Sequence, residues 1–428
     1  MATEMLTVLL EGQPIGELER RSGGDLWLRF DPAYTTDSGA TPLSVSMPAT
    51  EALHGDAQVT PWLWGLLPDN GDVLARWGRA FGVSVGSPFA LLGTQVGHDC
   101  AGAVQFCLPE AVDELRSRPG EVDWLSDEEI ATRLRSLRAD SATWLGPGFT
   151  GQFSLGGAQA KTALHRAEGR WGVSRGSTPT THILKPAVAG FQAQDLNEHI
   201  CMAAARRLGL QVAATRLERF EDESAIVVER YDRIEHGGHL LRIHQEDLCQ
   251  VLSVPPTRKY QSEGGPTPGR IAALLRSTIA GPEAETDVWR FVDALAYNWL
   301  IAGTDAHAKN YSLLLAGGQI RLAPLYDLAS FLPYDESAGH RVKLAMKVGD
   351  DYRLAGTDRT SEWERTADDL GLHRDRVLRR VHDLAVRAPA AFATVLGHLD
   401  EPALDTDLPR RLVDLVTERC RRCAALLA

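Results

Sequence analysis

Apolar and polar positions alternate near the start of the chain, in TVLLEGQPIGEL and again in DLWLRF, a period that predicts small antiparallel hairpins. TPWLWGLLPDNGDVLARWGRAFG then takes up a helical period and reads as a helix pair. An acidic stretch, PEAVDELRSRPGEVDWLSDEEI (109–130), has the look of a linker and suggests a boundary, with a helix expected around 126–138. Strand periods return from about residue 150 in GQFSL, KTALH, RWGV and THILK, broken by GGAQA and EGR turns. A helix is expected from Leu196, in NEHICMAAARRLGL, to a stop at Gly209, and another strand pair ends in SAIVVERYDR. Beyond 244 the pattern is nearly all helical, apart from the hairpin YSLLLAGGQIRLAPLYD, whose turn is supplied by Gly317 and Gly318. The predicted class is α+β: a small α+β module at 1–108, a strand-rich lobe at 109–243 and a helical lobe at 244–428.

Composition narrows the function. At 428 residues the chain exceeds what one core usually supports, and 44% hydrophobic with 24% charged residues describes a folded protein rather than a disordered one. A net charge of -12 argues against an extended nucleic-acid face, because phosphates are neutralised by clustered Lys and Arg; a role on DNA would need a partner. No basic leader and no apolar run of about 18 residues is present, so a cytoplasmic protein with no membrane contact is expected. The six cysteines are scattered, and the single C-x-x-C, Cys420 to Cys423, lacks a second ligand pair, which points to structural thiols. Only Lys161, Lys185, Lys259, Lys309, Lys343 and Lys347 stand among 45 basic residues, so each marks a place where a compact ammonium has been kept in an Arg-rich chain.

The densest chemistry is TDAHAKN (304–310), which follows the apolar run ALAYNWLIAG. Polar groups packed this closely are costly to desolvate unless they pair with each other or with a ligand. Asn310 precedes the first strand of the hairpin and Asp327 follows the second, so hairpin closure brings a carboxamide and a carboxylate together as oxygen ligands for Mg²⁺. Asp305 lies five residues before Asn310, the separation of the catalytic Asp and metal-binding Asn in the H-R-D-x-x-x-x-N loop. It would accept or orient a substrate hydroxyl proton, with Lys309 neutralising charge on the phosphoryl group. Upstream, FSLGGAQAKT offers a flexible loop whose amides approach phosphates, though it lacks Walker A spacing. HILK ends a strand with Lys185, resembling the strand Lys of kinases, and Glu198 is placed as its ionic partner. AIVVERY runs into Glu229, Arg230 and Tyr231, a connector suited to adenine. Taken singly, these segments also read as a capped helix end, a Gly-Gly turn and an edge-strand Lys.

In their order, together with PLSVSMP, WGLLPDN, NEHICMAAARRLGL and HQEDLCQVLSVPPTRKYQSEGGPT, they make the chain resemble the HipA family of serine/threonine-protein kinases, toxins of bacterial toxin–antitoxin pairs. The resemblance runs from residue 42 to about 330. It implies a bilobal protein-kinase-like fold with an added N-terminal subdomain, and ATP and Mg²⁺ as cofactors. By motif, Asp305 is the catalytic Asp, Asn310 and Asp327 hold Mg²⁺, and Gly156, Gly157, Ala158, Gln159, Ala160 and Lys161 form the phosphate loop. Lys185 meets the phosphates, Glu229 to Tyr231 meet adenine, and Gln245, His307, Ala308, Lys309 and Tyr326 also line the nucleotide. Ser154 corresponds to the loop serine that the family autophosphorylates, which expels the loop and switches the enzyme off. The implied partners are a HipB-like DNA-binding antitoxin and a protein substrate in translation, glutamate-tRNA ligase in the best-known relatives. Asp327 is followed by Leu-Ala rather than Phe-Gly, so the Phe switch of protein kinases is not expected. Two other readings stand beside this one: an aminoglycoside- or sugar-type phosphotransferase, and an inactive co-repressor of a DNA-binding antitoxin.

Overall fold

The structure is a computed structural model and describes residues 4–117, 120–187, 192–335, 341–400, 403 and 405–428. The chain divides into two compact units: Met1–Pro186 with Glu218–Pro256 and Ser312–Ile320, and Ala187–Leu217 with Thr257–Tyr311 and Arg321–Ala428.

The first unit opens with the expected hairpins. Strands β1 (Glu4–Leu10), β2 (Gln13–Arg20), β3 (Leu26–Phe30), β4 (Leu53–His54) and β5 (Val104–Cys107) form an antiparallel sheet in the order β4-β3-β2-β1-β5. The helix pair is Asp56–Leu66 and Gly71–Phe81. Asn70 caps the second helix by accepting from the amides of Asp72 and Val73, as a short polar side chain at that position should.

A second sheet runs β10-β11-β9-β7-β8-β6, built from β6 (Glu121–Leu125), β7 (Thr162–Ala167), β8 (Arg170–Arg175), β9 (His182–Pro186), β10 (Thr215–Phe220) and β11 (Glu223–Glu229). The helix Asp127–Ala139 begins with a capping box between Ser126 and Glu129. Its Ile130, Ala131 and Leu134 pack with Leu164, Trp171, Val173, Leu184 and Val227. Full burial of such a Leu or Val is worth roughly 1.5–3 kcal/mol. Two expectations fail here. The acidic "linker" contains a helix, Val112–Ser117, and the edge strand β6, which pairs with β8; its acidic, mostly exposed residues are those that protect a sheet edge, and they hid it from the hydrophobic pattern. GQFSL forms no strand: Ser154 makes only an isolated parallel bridge to Cys100.

The hairpin β12 (Arg233–His236) and β13 (His239–Arg242) leads to β14 (His244–Asp247), which pairs with β15 (Ser312–Ala316) beside β16 (Gln319–Leu322). Gly317 and Gly318 both take positive φ in the β15–β16 turn, as predicted.

The second unit is mainly helical: Gln194–Arg207, Pro268–Thr278, Glu283–Ile301, Thr360–Asp369, Arg374–Leu396 and Leu408–Leu427. Its strands β17 (Lys343–Val348) and β18 (Asp351–Arg353), like β14 in the first unit, are departures from the all-helical expectation past 244. KLAMKV and HQED lack the strict alternation that would have marked them. The helix Glu283–Ile301 is buried on nearly every side, which its apolar composition requires. Trp299 meets Trp363 edge-on at 5.3 Å, Phe291 meets Tyr311 at 5.3 Å, and the Tyr297 hydroxyl donates to the Cys201 carbonyl at 2.6 Å. Among the described residues no helix is long and apolar enough to cross a membrane.

Candidate active site

In the second unit, the buried helix stops at Ala302, a left-handed residue whose amide turns back to Asn298 and Trp299. Gly303 donates to the same Asn298 carbonyl at 2.7 Å, and the Asn298 carboxamide donates to Ala294 O at 2.9 Å. The helix end is therefore closed by backbone and one amide, and the chain leaves it directly into TDAHAKN. There Asp305 exposes 64% of its side chain, while His307, Ala308, Lys309 and Asn310 are buried. The Asp305 carbonyl accepts from the His307 amide at 2.8 Å and from Asn310 Nδ2 at 2.6 Å. The Asn310 amide donates to His307 O at 2.9 Å, closing the 3₁₀ turn Ala308–Asn310. Loop shape is thus set by its own residues, and the carboxylate is presented outward.

Asp327 is brought near this loop through its neighbour: the Tyr326 hydroxyl donates to Lys309 O at 2.6 Å. Residue 325 is fixed in turn, its amide donating to Gln211 O at 2.8 Å and its carbonyl accepting from Ala213 N at 2.9 Å. Asp327 itself has φ 59, a left-handed conformation that Asp tolerates better than most residues. The Asn310–Asp305 bond uses the carboxamide nitrogen, so the Asn310 oxygen is the atom suited to a hard cation. Among the described residues no group of three or more His, Cys, Asp or Glu side chains is placed to hold a metal ion. An Asn and an Asp completed by phosphate oxygens and water is the donor set Mg²⁺ accepts, and these residues fit it. Glu198 lies buried in the helix Gln194–Arg207 of this unit.

In the first unit, the segment expected to be the phosphate loop is held at both ends. Ser154 is fully buried; its amide donates to Asp99 O at 3.0 Å and its hydroxyl to Leu66 O at 2.8 Å. The Gly157 carbonyl accepts from the Asp69 amide at 3.0 Å. Lys161 folds back so that its ammonium donates to Gly156 O at 2.6 Å and lies 4.7 Å from the centre of the Trp144 ring. Gly157 has φ +94, and a Cβ there would sit 2.9 Å from Lys161 Nζ, so the loop closes this way only around glycine. Ala158 is exposed at the tip, Gln159 is half-buried and Ala160 is buried. Lys185, also buried, is paired across the sheet with Ile226 on β11, the strand that ends at Glu229.

The connector is divided in its use. Glu229 is exposed, and the Arg230 amide donates to Thr181 O at 2.9 Å. The Arg230 guanidinium turns inward to Asp232 at 2.8 Å and Asp99 at 3.3 Å, with Arg233 and Arg242 completing a buried ion network on the same two carboxylates. Burial alone would raise the Asp99 carboxyl, but Arg233, Arg230, Arg242 and a Thr180 hydrogen bond outweigh it and hold it below the usual range. Asp232 is held low in the same way by Arg230 and Arg233. Arg230 is thereby committed to structure. Tyr231 donates its hydroxyl to Gln245 Oε1, and Gln245 Nε2 donates to Asp232 at 2.9 Å.

Sequence reasoning missed Leu66 and Asp69, which pin the loop, and Asp99, which anchors the connector. WGLLPDN had been noted as a motif without a task, and backbone contacts such as those of Leu66 and Asp69 leave no side-chain signal. It also missed Tyr260, whose hydroxyl donates to Asp305 Oδ1.

The chain is similar to known proteins over nearly its whole length. The family model for the HipA N-terminal domain matches residues 6–107, and that for the HipA-like C-terminal domain matches residues 153–392. The Sinorhizobium fredii protein Y4mE is 34% identical over 423 residues, covering 98% of this chain and 99% of its own. The serine/threonine-protein kinase toxin HipA of Shewanella oneidensis is 29% identical, with 96% of this chain and 94% of that one aligned. A solved structure of the Shewanella oneidensis toxin–antitoxin complex of HipA, HipB and operator DNA superimposes with a TM-score of 0.81 at 26% identity, covering 99% of this chain and 98% of that one. The fold is therefore the kinase-like α+β fold of that structure.

Proposed function

The chain belongs to the HipA family, and on that premise we propose that it is a Mg-ATP-dependent serine/threonine-protein kinase and the toxin of a toxin–antitoxin pair. The observation that carries the chemistry is the TDAHAKN loop: an outward carboxylate at Asp305, held by a backbone turn that also orients Asn310. In the reaction the acceptor hydroxyl gives its proton to Asp305, its oxygen bonds to the γ-phosphorus, the bond from that phosphorus to the β,γ-bridging oxygen breaks, and ADP leaves. Asn310 and Asp327 would hold Mg²⁺, which when bound offsets phosphate charge. Lys309 adds a positive charge for the transferring group, Lys185 takes the phosphates, and the loop at 156–161 offers backbone amides to them. Glu229 and Tyr231 offer the connector to adenine, beside Gln245.

Ser154 is the autophosphorylation site in this reading. Its hydroxyl is buried on Leu66 O, so the loop must leave its seat before phosphate arrives, and a phosphoserine carrying about -1.5 to -2 charge could not return to that buried seat. The Shewanella relative is seen with HipB and operator DNA; for this chain, net charge -12 supports a HipB-like partner as the DNA-binding component. The protein substrate is a translation component such as a glutamate-tRNA ligase.

Peptide mapping after incubation of dephosphorylated protein with Mg-ATP tests the reading. Phosphate on Ser154 is expected; transfer to an aminoglycoside or sugar with none to protein would assign the small-molecule alternative instead.

A further inference from the structure

Two side chains converge on one oxygen of Asp305. The Tyr260 hydroxyl donates to Oδ1, and His307 Nε2 lies 3.7 Å from the same atom. The two rings stand edge to face, 4.9 Å apart at 85°, so each fixes the other's orientation. The backbone carries the same link: Lys259 O accepts from the Ala308 amide at 3.2 Å, tying the segment before Tyr260 to the catalytic loop. Asp305 exposes 64% of its side chain, which carries two rotatable bonds. A donor on Oδ1 restrains that rotation.

The geometry points to Tyr260 as the positioning residue of Asp305: its hydroxyl anchors Oδ1 so that Oδ2 is oriented to take the acceptor proton. This rests on Asp305 being the catalytic carboxylate. Tyr260 touches neither nucleotide nor phosphate in this role, so its loss affects the rate and leaves ATP affinity intact.

The test uses the full chain with Mg-ATP, reading ADP released at saturating ATP and Mg-ATP affinity by calorimetry, for the parent, Tyr260→Phe and Asp305→Asn. Tyr260→Phe keeps the ring against His307 and removes only the O–H. The expected result is a maximal rate lower by roughly 10–100-fold, the range seen when groups that orient a functional side chain are removed, with parental ATP affinity. A Tyr260→Phe rate equal to the parent, beside an inactive Asp305→Asn, overturns the Tyr260 role alone. Loss of ATP affinity in Tyr260→Phe overturns it too, by assigning the residue to nucleotide binding or to folding. An active Asp305→Asn, or no ADP from the parent, overturns the kinase reading and this inference with it.

Discussion

Asp305 and Asp327 are both carboxylates in the second unit, but their backbones prepare them for different work. Asp305 sits outward on a turn closed by its own carbonyl, whereas Asp327 is locked in a left-handed conformation two residues after a segment bonded to Gln211 and Ala213. Asp327→Ala should therefore weaken Mg-ATP binding at least about tenfold in calorimetry, on the scale of a lost metal ligand, and leave binding of metal-free ATP nearly unchanged. Equal affinity of the variant and the parent for Mg-ATP would remove Asp327 from the metal site. At this scale the sequence was legible where contacts are local: Asp305 and Asn310, five residues apart, meet through the Asn310 Nδ2 bond to Asp305 O. Tyr260 was not legible, because it lies 45 residues before Asp305 and meets it only in the fold.

Strand β14 shows how an element can be fixed by a single neutral histidine. His244 is fully buried; its Nε2 donates to Leu43 O at 2.7 Å and its Nδ1 accepts from the Ala103 amide at 3.3 Å. Burial lowers its pKa to about 4, only partly opposed by the Leu43 hydrogen bond and Asp232. The folded value lies below the unfolded one near 6.5, so between these values the unfolded chain binds more protons. Stability from this group is present above about pH 6.5 and lost as pH falls toward 4, by on the order of 3 kcal/mol in total. Urea unfolding at pH 7 and pH 5 should show the fall in the parent and a shallower one in His244→Gln; identical slopes would exclude His244.

The last helix offers a second case. Arg419, buried, donates to Trp299 O at 3.1 Å and pairs with Asp358 at 3.0 Å, so the helix Leu408–Leu427 caps the helix Glu283–Ile301 that leads into TDAHAKN. Arg419→Ala should cost about 1.5–3 kcal/mol, the scale of lost hydrogen bonds from a charged donor, read as a lower urea midpoint. Such elements were hidden from the sequence for one reason. Periodicity reports burial of apolar faces, and neither β6, an acidic edge, nor β14, held by His244, announces itself that way.

For the whole molecule, the order of motifs was more informative than any one of them. The Gly-Gly loop, Lys185, the segment 229–231, Asp305, Asn310 and Asp327 occur in the order expected of a kinase, and both family models match. The buried network of Asp99, Arg230, Asp232, Arg233 and Arg242 was invisible to that reading, since its members lie up to 143 residues apart. Phosphoryl transfer by Asp305 is the claim on which the other assignments depend. The most direct measurement is the intact mass of the dephosphorylated parent and of Asp305→Asn before and after Mg-ATP, with nucleotide affinity measured on both. The account predicts phosphate on the parent, none on Asp305→Asn, and similar ATP affinity. Phosphate on both proteins, or on neither while both bind ATP, would contradict it.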